Sequence, residues 1–154
     1  MTPSISDLIV LLYAEQKEIR KEAVQALAAR GMEAIPALTR VLADPDWVVR
    51  YRAVEALGMI PDPAVDPLLL TALRDSRDHV RYMGAKMLGI RKVKESAVQL
   101  AERLTDENEF VRRAAAAALG AIGDRGVRKA LEAALSKESS IRVRGELEAS
   151  LRLL

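Results

Sequence analysis

A chain of 154 residues, half of them apolar, can bury one domain-sized core. It has no cysteine, which excludes disulfides, thiolate nucleophiles and Cys-held metals. Its 24 basic and 22 acidic residues leave a formal charge of +2, too mixed a surface to argue for nucleic acid on charge alone.

The only aromatic residues are Tyr13, Trp47, Tyr51, Tyr82 and Phe110, so leucine, alanine, valine and isoleucine must fill the core. That composition suits close-packed helices better than a β-sandwich. The chain opens Met1-Thr2-Pro3-Ser4-Ile5-Ser6-Asp7 without a basic stretch. A secretion signal is therefore not expected, and a cytoplasmic setting is. The apolar run Leu8 to Leu12 is far too short to span a bilayer, so no membrane association is expected.

Two series of positions repeat along the chain. Leucine pairs at i, i+4 come first in each copy: Leu8/Leu12, Leu38/Leu42, Leu69/Leu73, Leu100/Leu104 and Leu131/Leu135. Each pair is followed by a branched residue and arginine: Ile19-Arg20, Val49-Arg50, Val80-Arg81, Val111-Arg112 and Val143-Arg144, spaced 30 to 32 residues apart. Four residues after the branched position stand Ala23, Ala53, Gly84, Ala115 and Leu147. Eight residues after it stand Leu27, Leu57, Leu88, Leu119 and Leu151. Each copy thus holds two amphipathic helices joined by a short turn.

In chain order the spacing predicts first helices over 5–13, 33–43, 63–73, 94–104 and 125–135, and second helices over 16–30, 46–60, 76–90, 107–121 and 138–153. The repeats run over about 4–30, 33–60, 63–90, 94–121 and 125–153, within one domain of 1–154. Asp44-Pro45, Asp75-Ser76 and Asp106-Glu107 are expected to open second helices, with the carboxylate accepting orphan backbone N–H groups. Pro36 and Pro67 suit helix starts. Gly31 and Gly123 stand where helices stop. No predicted helix is long enough to be stable alone, so stability is expected from stacking hairpins.

The segment from Asp44 to Gly58, with Asp44, Val49-Arg50, Ala53 and Ala56-Leu57-Gly58, resembles a HEAT repeat, in particular the short form of the phycobilisome-lyase-like group. Residues 75–89 and 106–120 resemble it too, with Gly84 and Met87 as departures. The first copy has Ala14 in place of the Asp, and the last has Glu138. The resemblance covers essentially the whole chain. It implies an all-α, right-handed α-α superhelix of five HEAT-like hairpins, ten helices in all. It further implies that Asp44, Asp75 and Asp106 form a structural ladder with Arg50, Arg81 and Arg112. Strict repetition favours that structural role over an anion-binding row.

Catalytic chemistry is sparse. His79 is the sole histidine, and nothing near it resembles a nucleophile elbow. No metal-binding His cluster or Gly-rich phosphate loop is present, and the run Gly120 to Gly126 reads as a turn between repeats. The expectation is a protein that is not an enzyme and carries no cofactor or metal.

Function in a repeat protein is sought where copies differ at exposed positions. The resemblance implies that second helices turn toward the concave side. Helical geometry points Trp47, Val48, Tyr51, Arg52 and Glu55 outward in the second copy, and Asp78, His79, Tyr82, Met83 and Lys86 in the third. In the fourth it points Glu109, Phe110, Arg113, Ala114 and Ala117 outward. The candidate partner-binding residues are Trp47, Tyr51, Arg52, Glu55, His79, Tyr82, Met83, Lys86, Phe110 and Arg113. Trp, Tyr, Met and Arg are types enriched at protein interfaces.

The leading expectation is a protein-binding scaffold or adaptor. Nucleic acid, held on the aromatic and basic concave face, ranks below it, since interspersed carboxylates oppose phosphate contacts. A phycobilin-lyase-like chaperone role rests on resemblance alone. Apolar residues at the ends (Ile5, Ile9, Val10 and Leu11, then Leu151, Leu153 and Leu154) point to weak self-association through the terminal repeats.

Overall fold

The computed structural model describes residues 1–154 and contains ten α-helices and no strand. They are α1 (Ile5–Leu11), α2 (Lys17–Ala29), α3 (Ile35–Val41), α4 (Trp47–Met59), α5 (Asp66–Ala72), α6 (Asp78–Ile90), α7 (Ala97–Glu102), α8 (Glu109–Ile122), α9 (Arg128–Lys137) and α10 (Ile141–Leu153). Odd helices are the first arms of hairpins and even helices the second. Short 3-10 turns precede four of the first arms, at Gly31–Ala34, Pro63–Val65, Lys94–Ser96 and Arg125–Val127. These turns take up residues that the spacing had assigned to the α-helices themselves. Asp62 and Asp124 start two of them by accepting the N–H two residues on.

The chain forms two compact units, residues 1–69 and 70–154, and the division falls inside α5. In the first, α2 packs on both α1 and α4, and α3 lies against α4. Its core holds Leu8, Leu12, Leu27, Leu38, Val49, Ala53 and Leu57. In the second, α8 is central, with α6 on one side and α10 on the other. Leu73, Val80, Leu88, Leu100, Val111, Leu119, Leu131 and Val143 are buried there. The periodic leucines and branched residues are thus core, with exceptions: Ile19, Leu42, Leu135 and Leu151 are only half-buried. Burying one such side chain is worth about 1.5–3 kcal/mol.

The second helices start later than the Asp series suggested. Their N-caps are Gln16, Asp46, Arg77, Asn108 and Ser140. Asp44, Asp75, Asp106 and Glu138 lie two residues ahead, and each accepts the N–H of the residue two further on, at 2.8, 2.8, 3.0 and 3.0 Å. They close the turn within the hairpin, and the side chains of Asp46, Asn108 and Ser140, though not Arg77, then cap the helix start.

Helix ends repeat as well. Gly31 and Gly123 are left-handed, with φ of 57° and 73°. The equivalent position after α6 is Lys92, the one non-glycine residue with positive φ, at 53°. Lys92 N–H bonds Gly89 C=O and Val93 N–H bonds Leu88 C=O, the paired bonds of a Schellman ending. The conformation costs an L-residue about 1–2 kcal/mol.

Glycine also permits close helix contact. A Cβ at Gly89 would lie 2.7 Å from the backbone Cα of Ala118, so α6 meets α8 there without side-chain spacing. Gly145, inside α10, has nothing within 4 Å of such an atom. The same substitution should therefore have opposite signs at the two sites. Gly89→Ala should destabilise, because overpacking of about 1–3 kcal/mol exceeds or cancels the helix gain of about 1 kcal/mol. Gly145→Ala should stabilise by up to about 1 kcal/mol. Urea unfolding of the two variants beside the parent checks both.

Candidate partner-binding face

The arginine series is structural in geometry. Arg50, Arg81, Arg112 and Arg144 each aim Nη1 at the carbonyl six residues back, at 2.8, 2.9, 2.8 and 3.1 Å, and Arg20 does the same. In the second unit the remaining donors reach the next copy. Arg81 Nε and Nη2 donate to the Asp106 carboxylate at 2.8 and 3.1 Å, a buried fork-to-fork pair. Arg112 does likewise with Glu138 at 2.8 and 3.1 Å. The bond from Arg112 is the chief cause that lowers the Glu138 pKa from its ordinary value, and burial opposes it. Arg103 reinforces Asp106 from 3.5 Å.

The first copy departs from this pattern. Asp44 accepts from the Tyr13 hydroxyl, which raises the tyrosine pKa, and Arg20 Nε is buried with no partner.

Of the residues expected outward, two are not. Met83 is 1% exposed and belongs to the core of the second unit. Arg52 is 8% exposed, donates to Glu55 at 2.7 Å and lies 5.2 Å over the Tyr51 ring. Its Nη1 is engaged within its own helix while its Nε is buried without a partner, and Trp47 and Tyr51 beside it are both half-buried. The expectation that Met83 and Arg52 face solvent is corrected. They occupy the same repeat position, three after the branched residue, and both are buried.

In the second unit, four of the expected residues come together. Tyr82, Lys86, Phe110 and Arg113 line an open groove of about 680 Å³ over α6, α8 and α10. Its floor is small side chains of α8: Ala114, Ala117, Ala118 and Ala121. Phe110 and Ile90 stand up from it, 54% and 64% exposed. Its rim carries Lys86, Lys92 and Arg113, against a single carboxylate, Glu146. Glu146 is already engaged by Arg113 at 3.3 Å. A smaller hollow beside it is lined by His79, Tyr82 and Phe110, with Asp78 and Asn108. Asn108 donates to Asp78 at 2.6 Å, and the Asp78 pKa is lowered, chiefly by its hydrogen bond from His79.

The sequence-derived partner-binding set left out Ile90, Lys92 and Glu146. Glu146 holds the same repeat position as Arg52 and Met83, in the last copy, where no further helix covers it. Lys92 could have been found by its place in the glycine register.

No three of the His, Asp or Glu side chains converge to hold a metal ion, and no helix is long and apolar enough to cross a membrane.

The profile of the HEAT-repeat family matches residues 5–85 and again 67–152. The chain belongs to the HEAT-repeat family. As a HEAT-repeat protein it has the all-α solenoid fold of helical hairpins. One similar solved structure is a chain in the complex of CpcE and CpcF of phycocyanin lyase from Nostoc sp. PCC7120, at 22% identity and a TM-score of 0.84, with 95% of this chain and 96% of that one covered. Another is an engineered protein at 24% identity and a TM-score of 0.67, covering 97% and 78%. A third is a designed armadillo repeat protein in complex with the peptide (KR)4, at 23% identity and 0.62, covering 97% and 81%. At such identities the likeness is one of fold. No sequence among the curated proteins matches this one.

The ladder gives a prediction with a defined pH sign. A lowered Glu138 pKa in the folded state means that the unfolded chain binds the proton more tightly. The stability is then fully present above the ordinary glutamate value near 4.3 and is lost as pH falls through the lower folded value. Glu138→Gln should cost about 1.5–3 kcal/mol at pH 7. The difference from the parent should shrink as pH is lowered below about 4. Unfolding curves at pH 7 and at pH 3 check it.

Proposed function

We propose that this chain is a non-enzymatic protein-binding scaffold of the cytoplasm, and that it captures its partner on the exposed face of its second helices. One observation carries the reading. In the second unit, the positions where repeats differ line a groove with an apolar floor, two exposed apolar walls and a charged rim. That is the layout of an interface core inside a polar rim. The repeated charges, by contrast, are consumed by the ladder. Peptide recognition by an armadillo neighbour of similar fold is in keeping with it. Nucleic acid fits less well, because the groove floor is apolar and Arg113 is neutralised by Glu146.

A second reading draws on the match, over nearly the full length of both chains, to a component of a phycocyanin lyase complex. It would make this chain a tetrapyrrole handler that works beside a second chain.

The test is affinity capture from the source organism with the parent and with Tyr82→Ala/Phe110→Ala. Both side chains are at least partly exposed, so the melting curve should move little. The parent should retain a protein that the double variant releases. Equal retention by both would sink the groove as the site. A pigment titration that quenches or shifts absorbance in the parent alone would favour the second reading.

The ends of the chain expose Val10 at 68%, Ile141 at 85% and Leu153 at 69%. We propose weak self-association through these surfaces. Sedimentation should show the apparent mass rising with concentration, and Val10→Glu should suppress the rise. A single monomeric species at high concentration would refute it.

A further inference from the structure

Resting on the protein-binding reading, we propose that the occupant of the groove is a short acidic peptide segment carrying large apolar side chains, and that Lys92 is a specificity residue kept for it at the expense of the fold. Three observations converge. The first is charge. Lys86 and Lys92 are exposed at the rim, and neither faces a carboxylate within the protein. The one acidic lining residue, Glu146, is taken by Arg113. The unit that bears the groove also holds the chain's positive excess, with 17 basic against 12 acidic residues over 70–154; residues 1–69 hold 7 and 10. Carboxylates of a guest would complete the rim pairs, and a basic guest would meet like charge.

The second is shape. A floor of alanine leaves room that Phe110 and Ile90 bound on two sides. An apolar hollow of this size takes large side chains of a guest. The third is backbone conformation. Lys92 stands at the left-handed ending that Gly31 and Gly123 fill elsewhere in the chain. A lysine there is less favourable than glycine, and the residue lies at the groove. A disfavoured residue at a ligand surface is the expected mark of a functional constraint.

The experiment is selection of a random displayed peptide library on the full chain. Selected peptides are then titrated against the parent, Lys92→Gly, Lys86→Glu and Phe110→Ala. Enriched peptides should combine Asp or Glu with Leu, Ile, Phe or Met. Lys92→Gly should raise the melting temperature and yet weaken binding several-fold, a pairing that a purely structural lysine would not produce. Lys86→Glu should weaken binding most at low salt. Phe110→Ala should weaken it roughly tenfold or more. Enrichment of neutral or basic peptides that still need Phe110 would overturn the acidic-segment assignment and leave the protein-binding face standing. Binding that is indifferent to Phe110→Ala would overturn both. If Lys92→Gly binds as the parent does, the role given to Lys92 falls.

Discussion

Five arginines, one per hairpin, make the same bond to the carbonyl six residues back, and the hairpins depend on it. The turn between two helices leaves carbonyl groups that no helix can use, and burying them unpaired would cost about 1–3 kcal/mol each. A guanidinium supplies a donor inward while keeping two others free. In the second unit those two form a fork on the acid of the following hairpin. Lysine could not do both, because its ammonium lacks the fixed planar fork. One residue type thus closes every turn and, in the second unit, also joins neighbours.

That constraint separates structural charge from functional charge. On the ladder edge the acids are held by arginine and by backbone N–H groups at once. The first hairpin shows what happens where the pattern starts. With Ala14 in the acid position and Tyr13 on Asp44, the ladder's first rung is a phenol–carboxylate bond, and Arg20 keeps an unpaired Nε. What remains uncommitted is the outward face of the second helices. There α4 again spends its charges internally, on Arg52, Glu55 and Tyr51, whereas the rim above α6 and α8 leaves Lys86 and Lys92 unpaired.

Periodicity made the core legible, because leucine at a fixed register has one explanation in a stacked hairpin. It misjudged boundaries wherever a 3-10 turn and an Asx-type turn share residues with a helix, as at Pro63–Val65 and Asp75–Arg77. It also placed Met83 and Arg52 outside. A single helical wheel assumes one buried stripe. In α6 the buried set extends over Val80, Arg81, Met83, Gly84, Ala85, Met87, Leu88 and Gly89, more than half of the helix. Such breadth belongs to a helix packed on several sides, and no one-helix pattern reveals the number of neighbours. The groove was half visible: Tyr82, Lys86, Phe110 and Arg113 were singled out, while Ile90, Lys92 and Glu146 needed the three-dimensional arrangement.

The groove and the packing have one origin. Small residues along α8 let α6 approach at Gly89 to a distance that a methyl group would forbid, and the same alanines leave the outer surface low between larger side chains. Close helix packing therefore makes a hollow wherever bulky residues flank it, here Phe110 at the start of α8 and Ile90 at the end of α6. Since α6 ends at that rim, the residue after its cap lies beside the groove. Glycine would satisfy the backbone and leave the rim bare. Lysine gives up about 1–2 kcal/mol of backbone preference and adds a cation to the rim of an apolar groove. Gly31 and Gly123 show that the same kind of ending forms without such a side chain, so the fold itself does not require the lysine.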